Sequence, residues 1–382
     1  MQRVAIVGAG VVGAACAYFA TAAGLDVTVL DRRAVAAGTT GAGEGNLLLS
    51  DKEAGPELDL ALRSSRLWSE IGEDLGGATF ELERKGGVVV ASTPDGLAAL
   101  VEFAAEQRTL GVESQPVDAT GLRRLEPWIS PELPGGVLYP GDMQVQPALA
   151  AARLLERARR RGARLELGVE VTGLRTHGGT VTGVETDGGT VAADVVVNAA
   201  GTWGGELSAR FGAPVPILPR RGFILVTAPL PEGAIRHKVY SADYVANVAS
   251  DNEGLESSCV VEGTRAGTVL IGASRERVGF DRTVSVPIVR RLAGHAVTLF
   301  PALASVDLLR VYGGFRPYCP DHLPAIGFDG RIGGLLHACG HEGAGIGLAP
   351  ATGELVTQLI TGAPTSVDAA AFSPDRLLGV AA

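Results

Sequence analysis

The first 31 residues carry the clearest pattern of apolar and polar positions in the chain. An apolar segment at residues 3–7 predicts a buried strand, and small apolar residues up to about residue 23 predict a helix. A second apolar segment at residues 26–31 predicts another strand, which ends on an acidic residue. The order strand, helix, strand predicts a βαβ unit and therefore a parallel sheet.

Apolar periodicity predicts further helices and strands along the rest of the chain. The predicted helices cover residues 56–75, 93–110, 147–161, 286–299 and 349–360. The predicted strands cover residues 85–91, 164–171, 181–186, 194–199 and 334–339, with further strand-like segments between 220 and 324. Strands therefore dominate residues 220–324, whereas strands and helices alternate in the rest of the chain.

Three glycines lie between the first strand and the first helix, in the spacing Gly8-x-Gly10-x-x-Gly13. Gly8 permits a tight turn, Gly10 lets a pyrophosphate approach the backbone, and Gly13 lets the helix pack closely on the strand. Asp31 ends the second strand, where its carboxylate is placed to accept hydrogen bonds from a ribose diol. The spacing together with its flanking strands predicts dinucleotide binding.

These elements predict an α/β plus α+β fold. We expect a discontinuous Rossmann-like nucleotide-binding domain formed by residues 1–85, 142–215 and 325–382. Residues 86–141 and 216–324 are expected to form an inserted substrate domain built on an antiparallel sheet.

Composition narrows the classes of function. The chain has 382 residues and a formal net charge of −9, which argues against a nucleic-acid partner. The four cysteines include no CxxC pair, which predicts reduced thiols and no iron–sulfur cluster on this chain. The glycines near the N-terminus argue against a signal peptide, and no apolar run is long enough to span a bilayer. We therefore expect a cytoplasmic protein.

Four further segments extend the interpretation from a nucleotide to a flavin. They are GTTGAGEGNL at 38–47, NAAGTW at 198–203, GGFRP at 313–317 and GHEGAGIGLAP at 340–350. In this order they resemble the FAD-dependent D-amino-acid oxidase family, which includes glycine and sarcosine oxidases. Residues 43–53 are most similar to a subgroup that holds the flavoprotein subunits of opine oxidase, hydrogen cyanide synthase and proline or hydroxyproline dehydrogenases.

The resemblance implies FAD as the cofactor and indicates which residues contact it. The implied contacts are Gly8, Gly10, Val11, Val12, Gly13, Asp31, Arg32, Arg33, Thr39, Thr40, Glu44, Gly45, Asn46, Leu47, Val171, Ala200, Gly201, Trp203, Arg316, Gly340, His341, Glu342, Gly343, Ala344, Gly345, Ile346 and Gly347. Sarcosine oxidases bind flavin covalently through a cysteine that aligns near Gly314, and Cys319 is displaced from it. We therefore expect non-covalent FAD.

The resemblance also implies the reaction, which is oxidation of a C–N bond next to a carboxylate. Arg316 matches the arginine that binds the substrate carboxylate, and its planar fork suits that role. Glycine oxidases carry a second arginine at the position of Gly343, so glycine is a doubtful substrate here. Hydride transfer to flavin N5 would give an imine from an amino acid or N-substituted amino acid.

Weaker candidates for the substrate pocket are Asn46, Tyr240, Asp243 and Tyr244. His337, Cys339 and His341 alternate along a strand, but a fourth ligand is not apparent and we expect no metal.

The motifs do not by themselves identify the electron acceptor. Monomeric sarcosine oxidases place a lysine above the flavin for oxygen, and the matching residues 272–277 contain none. This favours transfer to an electron-accepting protein partner. The alternatives are a self-sufficient oxidase producing hydrogen peroxide and a flavin-carrying subunit without independent turnover. An RNA-modifying flavoenzyme is disfavoured by the negative charge.

Overall fold

The computed structural model describes residues 1–242 and 254–380. The helices of this part are α1 (Val11–Ala22), α2 (Pro56–Leu75), α3 (Pro94–Thr109), α4 (Ala119–Leu125), α5 (Pro147–Arg160), α6 (Gly204–Arg210), α7 (Val286–Leu299) and α8 (Gly345–Thr361). Within the same residues, no helix has both the length and the hydropathy needed to cross a membrane.

Strands make up most of the remaining regular structure. The first ten are β1 (Arg3–Val7), β2 (Asp26–Asp31), β3 (Asn46–Leu47), β4 (Gly87–Ala91), β5 (Gln115–Asp118), β6 (Gly135–Tyr139), β7 (Met143–Gln144), β8 (Arg164–Leu167), β9 (Val171–His177) and β10 (Thr180–Thr186). The others are β11 (Gly189–Ala192), β12 (Val195–Asn198), β13 (Leu218–Thr227), β14 (Lys238–Ser241), β15 (Glu256–Gly263), β16 (Val269–Arg275), β17 (Leu308–Tyr318), β18 (Ala325–Phe328) and β19 (Leu335–Cys339).

A six-stranded sheet in the order β18-β19-β12-β1-β2-β8 contains the predicted βαβ unit. All neighbouring strands run parallel except β18 and β19. Helix α1 packs against α5 and α8 beside this sheet. Because β1 and β12 are covered on both faces, they are almost entirely apolar, as buried parallel strands are. Their carboxyl ends open onto the clefts described below.

An eight-stranded sheet in the order β17-β13-β16-β15-β14-β4-β6-β5 forms the second layer of the molecule. Its pairs are antiparallel except for β14 and β4. Helix α7 covers one face through buried Leu292 and Ala296, which leaves the other face to the clefts. All of these strands fall within 86–141 and 216–324, whereas the domain boundaries themselves stay a prediction.

Two predicted elements differ from the structure. The strand predicted over residues 164–171 ends at Leu167, because Gly168 adopts a φ of +77°, and β9 begins a separate three-stranded sheet. The C-terminal helix begins at Gly345 instead of residue 349 and includes Pro350. Proline lacks the N–H that would bond the Ile346 carbonyl, and the Trp68 indole N–H donates to that oxygen instead, at 3.1 Å. The helix therefore tolerates a residue that usually marks a helix boundary.

Candidate functional site

Two adjoining clefts run from the edge of the parallel sheet to the open face of the antiparallel one. The outer cleft encloses about 840 Å³ of atom-free space and is lined by Asp31, Val171 and Trp203 among others. The inner cleft encloses about 1010 Å³ and is lined by Glu44, Arg316 and other residues. Gly10, Thr39, Thr40, Ala199 and Gly201 line both clefts, so a single extended ligand can occupy the two together.

The glycines of the first turn leave room that no other residue would. Gly8 has a φ of +122°, and a Cβ atom there would lie 2.3 Å from the Ala199 carbonyl oxygen. A Cβ atom at Gly13 would lie 1.9 Å from the Gly8 carbonyl oxygen. The helix N-terminus thus reaches the cleft, where its N–H groups favour a phosphate.

Asp31 is oriented by the backbone. One carboxylate oxygen accepts a hydrogen bond from the Ala9 N–H and the other from the Arg33 N–H, each at 2.8 Å. Each carboxylate oxygen has a second acceptor site, which leaves the carboxylate able to bind hydroxyl groups in the outer cleft. The guanidinium groups of Arg32 and Arg33 lie 5.0 and 5.2 Å from the Trp203 ring centre and form the rim.

Thr39 and Thr40 lie at the junction of the two clefts and are fixed there by hydrogen bonds. The Thr40 hydroxyl accepts a hydrogen bond from the Val11 N–H at 3.0 Å, at the start of α1. The Thr39 hydroxyl donates to the Phe315 carbonyl oxygen at 2.7 Å and contacts the Thr202 hydroxyl. Thr39 therefore connects the parallel sheet region to β17.

Two buried acceptors in the inner cleft lack hydrogen-bond donors in the described part of the chain. They are Glu44 Oε1 and Asn46 Oδ1. The Asn46 amide donates to the other Glu44 oxygen at 2.8 Å, and burial raises the pKa of the Glu44 carboxyl. Buried acceptors without donors are costly in a folded chain, so these atoms fit a ligand that brings N–H or O–H groups.

The N-terminus of α8 opens onto the inner cleft through Gly345 and Ile346. Its positive end can stabilise negative charge on a bound ligand. His341, just before it, is buried, and its ring bonds the Thr352 hydroxyl at 3.0 Å. Desolvation lowers the pKa of His341 to about 3, so the ring is neutral at physiological pH.

Most of the predicted cofactor residues line one of the two clefts. The outer cleft contains Gly8, Gly10, Asp31, Arg32, Arg33, Thr39, Thr40, Val171, Ala200, Gly201 and Trp203. The inner cleft contains Val11, Val12, Glu44, Gly45, Asn46, Arg316, His341, Glu342, Gly343, Gly345 and Ile346, besides residues shared with the outer one. Five predicted cofactor residues line neither cleft: Gly13, Leu47, Gly340, Ala344 and Gly347. Leu47 packs in the core, and Ala344 lines a third cavity described next.

Arg316 lies where the inner cleft meets a third, charged cavity. Its Nη1 atom donates to the Ser274 carbonyl oxygen at 2.8 Å. A Cβ atom at Gly222 would lie 2.2 Å from that nitrogen, so the guanidinium rests on a glycine of β13. Strand β17 and its neighbours thus hold the side chain at the boundary of two cavities.

The weaker pocket candidates have different outcomes. Tyr240 is fully buried, and its hydroxyl contacts Ser50 instead of lining the clefts, so the structure does not place it in the pocket. Ser50 in turn bonds Asp142, whose pKa burial raises to about 7. Asp243 and Tyr244 lie outside the described residues.

The charged cavity was not predicted from the sequence. It encloses about 1110 Å³ of atom-free space, and its charged lining residues are Asp51, Lys52, Glu53, Glu57, Arg220, Arg275, Arg316 and Glu342. A local pattern indicates only its β13 part, because Arg220, Gly222 and Ile224 alternate along that strand and therefore share its open face. The remaining charges come from distant segments that only the fold brings together.

Comparison with known proteins decides the family. The model of the DAO family, described as FAD dependent oxidoreductase, matches residues 3–359. The chain belongs to this family. It is therefore an FAD-dependent oxidoreductase, and the resemblance noted from its motifs is confirmed.

Two relatives each cover more than four fifths of this chain. The glycine oxidase of Geobacillus kaustophilus is 31% identical, over 98% of this chain and 97% of its own length. The hydrogen cyanide synthase subunit HcnC of Pseudomonas aeruginosa is also 31% identical, over 83% of this chain and 74% of its own.

Solved structures of the DAO family agree with the fold. The crystal structure of the Geobacillus kaustophilus glycine oxidase superposes with a TM-score of 0.87 at 30% identity, covering 98% of both chains. The L-proline dehydrogenase from P. horikoshii gives a TM-score of 0.90 at 24% identity, over 98% of this chain and 97% of that chain. The predicted α/β plus α+β fold and the FAD cofactor are thus confirmed.

Proposed function

We propose that this chain oxidises the C–N bond of an amino acid or N-substituted amino acid to an imine. The observation that carries the proposal is the position of Arg316 between the inner cleft and the charged cavity. A guanidinium there binds a carboxylate through two parallel hydrogen bonds and so orients the carbon next to it.

The two clefts are assigned to different parts of FAD. We propose that the outer cleft holds the adenosine part of FAD and the inner cleft its flavin ring, without a covalent bond. Cys319 supports the last point, because its thiol is buried and donates to Asp321 at 3.2 Å, away from the inner cleft. Bound FAD supplies the acceptor for a hydride from the carbon that carries the nitrogen.

The contribution of the protein is mainly positioning. Arg316 holds the carboxylate, and the inner cleft beside it positions the carbon that carries the nitrogen. The substrate amine must be neutral for its lone pair to assist departure of the hydride. Solvent in the charged cavity can take that proton, so the proposal needs no protein base.

Relatives support this class of substrate by their names. They include the glycine oxidase already described, a D-amino acid dehydrogenase of Xanthobacter autotrophicus, and an iminodiacetate oxidase from Chelativorans.

We further propose that electrons pass to a partner protein rather than to oxygen. All three lysines are paired with carboxylates: Lys52 with Asp51 at 2.9 Å and Lys238 with Glu262 at 2.8 Å, while Lys85 lies 3.5 Å from Glu83. None of them lines the inner cleft. The relationship to HcnC, which is a subunit by name, also supports a partner.

The test is to mix the FAD-loaded protein with a panel of amino acids and N-substituted amino acids in the absence of oxygen. Bleaching of the flavin absorbance by one compound would support C–N oxidation, whereas no bleaching by any compound would contradict it. Slow reoxidation on admitting air would support a partner acceptor. Rapid reoxidation with peroxide would favour the self-sufficient oxidase instead.

A further inference from the structure

Glu44 places a buried carboxyl group in the wall of the inner cleft, where the residue is only 8% exposed. Its Oε1 atom accepts no hydrogen bond from the described part of the chain, and Oε2 accepts one from the neutral amide of Asn46 at 2.8 Å. Burial without a cationic donor disfavours the charged form, and burial accordingly raises the pKa of Glu44. The group therefore has room for a ligand that donates an N–H.

Charges of the chain near Glu44 act on it mainly from a distance. The charge of Lys238 lowers the pKa of Glu44, but the Lys238 ammonium bonds Glu262 at 2.8 Å, and Glu262 raises that pKa again. The charge of Arg316 lowers it further, yet burial outweighs these effects. A cation bound directly to Glu44 would stabilise the charged carboxylate. The ligand that fits best is thus an N–H donor with a positive charge.

Glu44 and Arg316 lie against the same strand, β16. A Cβ atom at Gly272 would lie 2.1 Å from Glu44 Oε1, so the carboxyl group packs on a residue without a side chain. The Arg316 guanidinium donates to the carbonyl oxygen of Ser274, two positions further along β16, at 2.8 Å. Both Glu44 and Arg316 also line the inner cleft. The cleft therefore presents a carboxyl group and a guanidinium near each other.

An amino acid carries its carboxylate and its amine on one carbon, so two neighbouring groups of opposite charge suit both ends. Arg316 binds the carboxylate under the proposed function. We propose that the Glu44 carboxylate binds the substrate amine. This inference rests on the proposed function and names the residue that recognises the nitrogen. Glu44 accepts an N–H from the ammonium that arrives and from the neutral amine that reacts. With both ends held, the hydrogen on the carbon between them has a defined direction.

Ligands that cannot be oxidised test the amine contact alone. α-Aminoisobutyrate has no hydrogen on the carbon next to its carboxylate, and in pivalate a methyl group of similar size replaces the ammonium. Cycloleucine and its analogue with a methyl group in place of the amine form a bulkier pair. Each compound is titrated into the FAD-loaded protein, and the shift in the flavin spectrum reports binding. We expect the amino acid to bind about tenfold or more tightly in at least one pair. Equal binding within both pairs would refute the contact.

Variants of Glu44 then assign the preference to this carboxylate. Glu44→Gln keeps the size of the side chain and removes its charge, so it should retain FAD and weaken binding of the amino acid about tenfold, without weakening that of the methyl analogue. Glu44→Asp keeps the charge and should retain part of the preference. Glu113→Gln, exposed between α3 and β5, changes the net charge equally and should change neither affinity. An undiminished preference in Glu44→Gln would overturn the proposal, and so would loss of FAD, because the carboxylate would then serve the cofactor.

Failure of this inference and failure of the proposed function give different results, because the titrations need no oxidation. If no amino acid reduces the flavin but the preference is present and disappears in Glu44→Gln, C–N oxidation fails while recognition of the amine stands. If a substrate reduces the flavin with the same affinity and rate in wild type and Glu44→Gln, C–N oxidation stands and the role of Glu44 is refuted.

Discussion

The outer cleft and the charged cavity lie at the two ends of one site and are built in different ways. The outer cleft is shaped largely by backbone: Gly8 and Gly13 have no space for a side chain, and backbone N–H groups orient Asp31. The charged cavity is shaped by long side chains such as Arg220 and Arg275. A cofactor shared by a family can be bound by such a local backbone motif, whereas a substrate needs chemistry particular to each member.

Filling the space that Gly8 leaves beside the backbone should have the largest effect on FAD binding. Gly8→Ala would place a Cβ atom 2.3 Å from the Ala199 carbonyl oxygen at a φ of +122°, so we expect protein with little or no bound FAD. The measurement is the ratio of flavin to protein absorbance after reconstitution.

Gly24→Ala is the matched control for this change. Gly24 also has a positive φ, +80°, but no atom lies within 4 Å of the added Cβ. It should cost about 1 kcal/mol of unfolding free energy and retain full flavin content. If Gly8→Ala bound FAD as well as Gly24→Ala does, the steric account of the outer cleft would be wrong.

Substitution of Arg316, which lies between the inner cleft and the charged cavity, should impair the reaction with substrate without impairing FAD binding. Arg316→Gln should retain FAD but lower the second-order rate constant for flavin reduction by on the order of a hundredfold, because a charge-assisted carboxylate contact is lost. Stopped-flow reduction and flavin content together check this. Parallel losses of flavin and of rate would show that Arg316 serves mainly the cofactor.

Two buried groups near the clefts should give opposite dependences of stability on pH. Burial raises the pKa of Asp142 to about 7, so the folded state binds its proton more tightly and loses stability as pH rises from about 4 to 7. Burial lowers the pKa of His341 to about 3, so the folded state gains stability as pH rises from about 3 to 6.5. Between about pH 4 and 6 the two effects oppose each other.

Single substitutions at Asp142 and His341 should reveal how each group makes the free energy of unfolding depend on pH. In Asp142→Asn, the free energy of unfolding should rise with pH relative to wild type by up to about 1.4 kcal/mol per unit between pH 4 and 6. In His341→Gln it should fall by a similar amount. Denaturant titrations at several pH values provide the measurement, and parallel pH profiles for all three proteins would contradict the assignment.

The smallest effect is expected at the rim of the outer cleft. Arg33→Ala removes a cation–π contact with Trp203, which lies 5.2 Å away, and should weaken FAD binding by up to about 1 kcal/mol. Arg159→Ala, on the exposed end of α5, controls for the change in net charge. A loss of FAD affinity well beyond tenfold would mean that Arg33 contacts the cofactor phosphates directly.

Local patterns were enough to predict much of the fold. The bounds predicted for β1, β2, α2 and α7 agree with the structure, because each element is marked by its own periodicity and by flanking glycine or proline residues. Prediction failed at the start of α8, where Gly345 and Pro350 both indicate a helix boundary. Trp68, from a distant helix, donates to the carbonyl that Pro350 leaves without a partner.

The sequence by itself determined the dinucleotide turn and the family, because both depend on short contiguous motifs such as the one from Gly8 to Gly13. The tertiary structure decided which charges meet. Arg220, Arg275 and Arg316 are separated by 41 to 96 positions in the chain and share a wall only because β13 lies between β16 and β17. Strand order in an antiparallel sheet is a non-local property, so no local pattern could place these three side chains in one cavity.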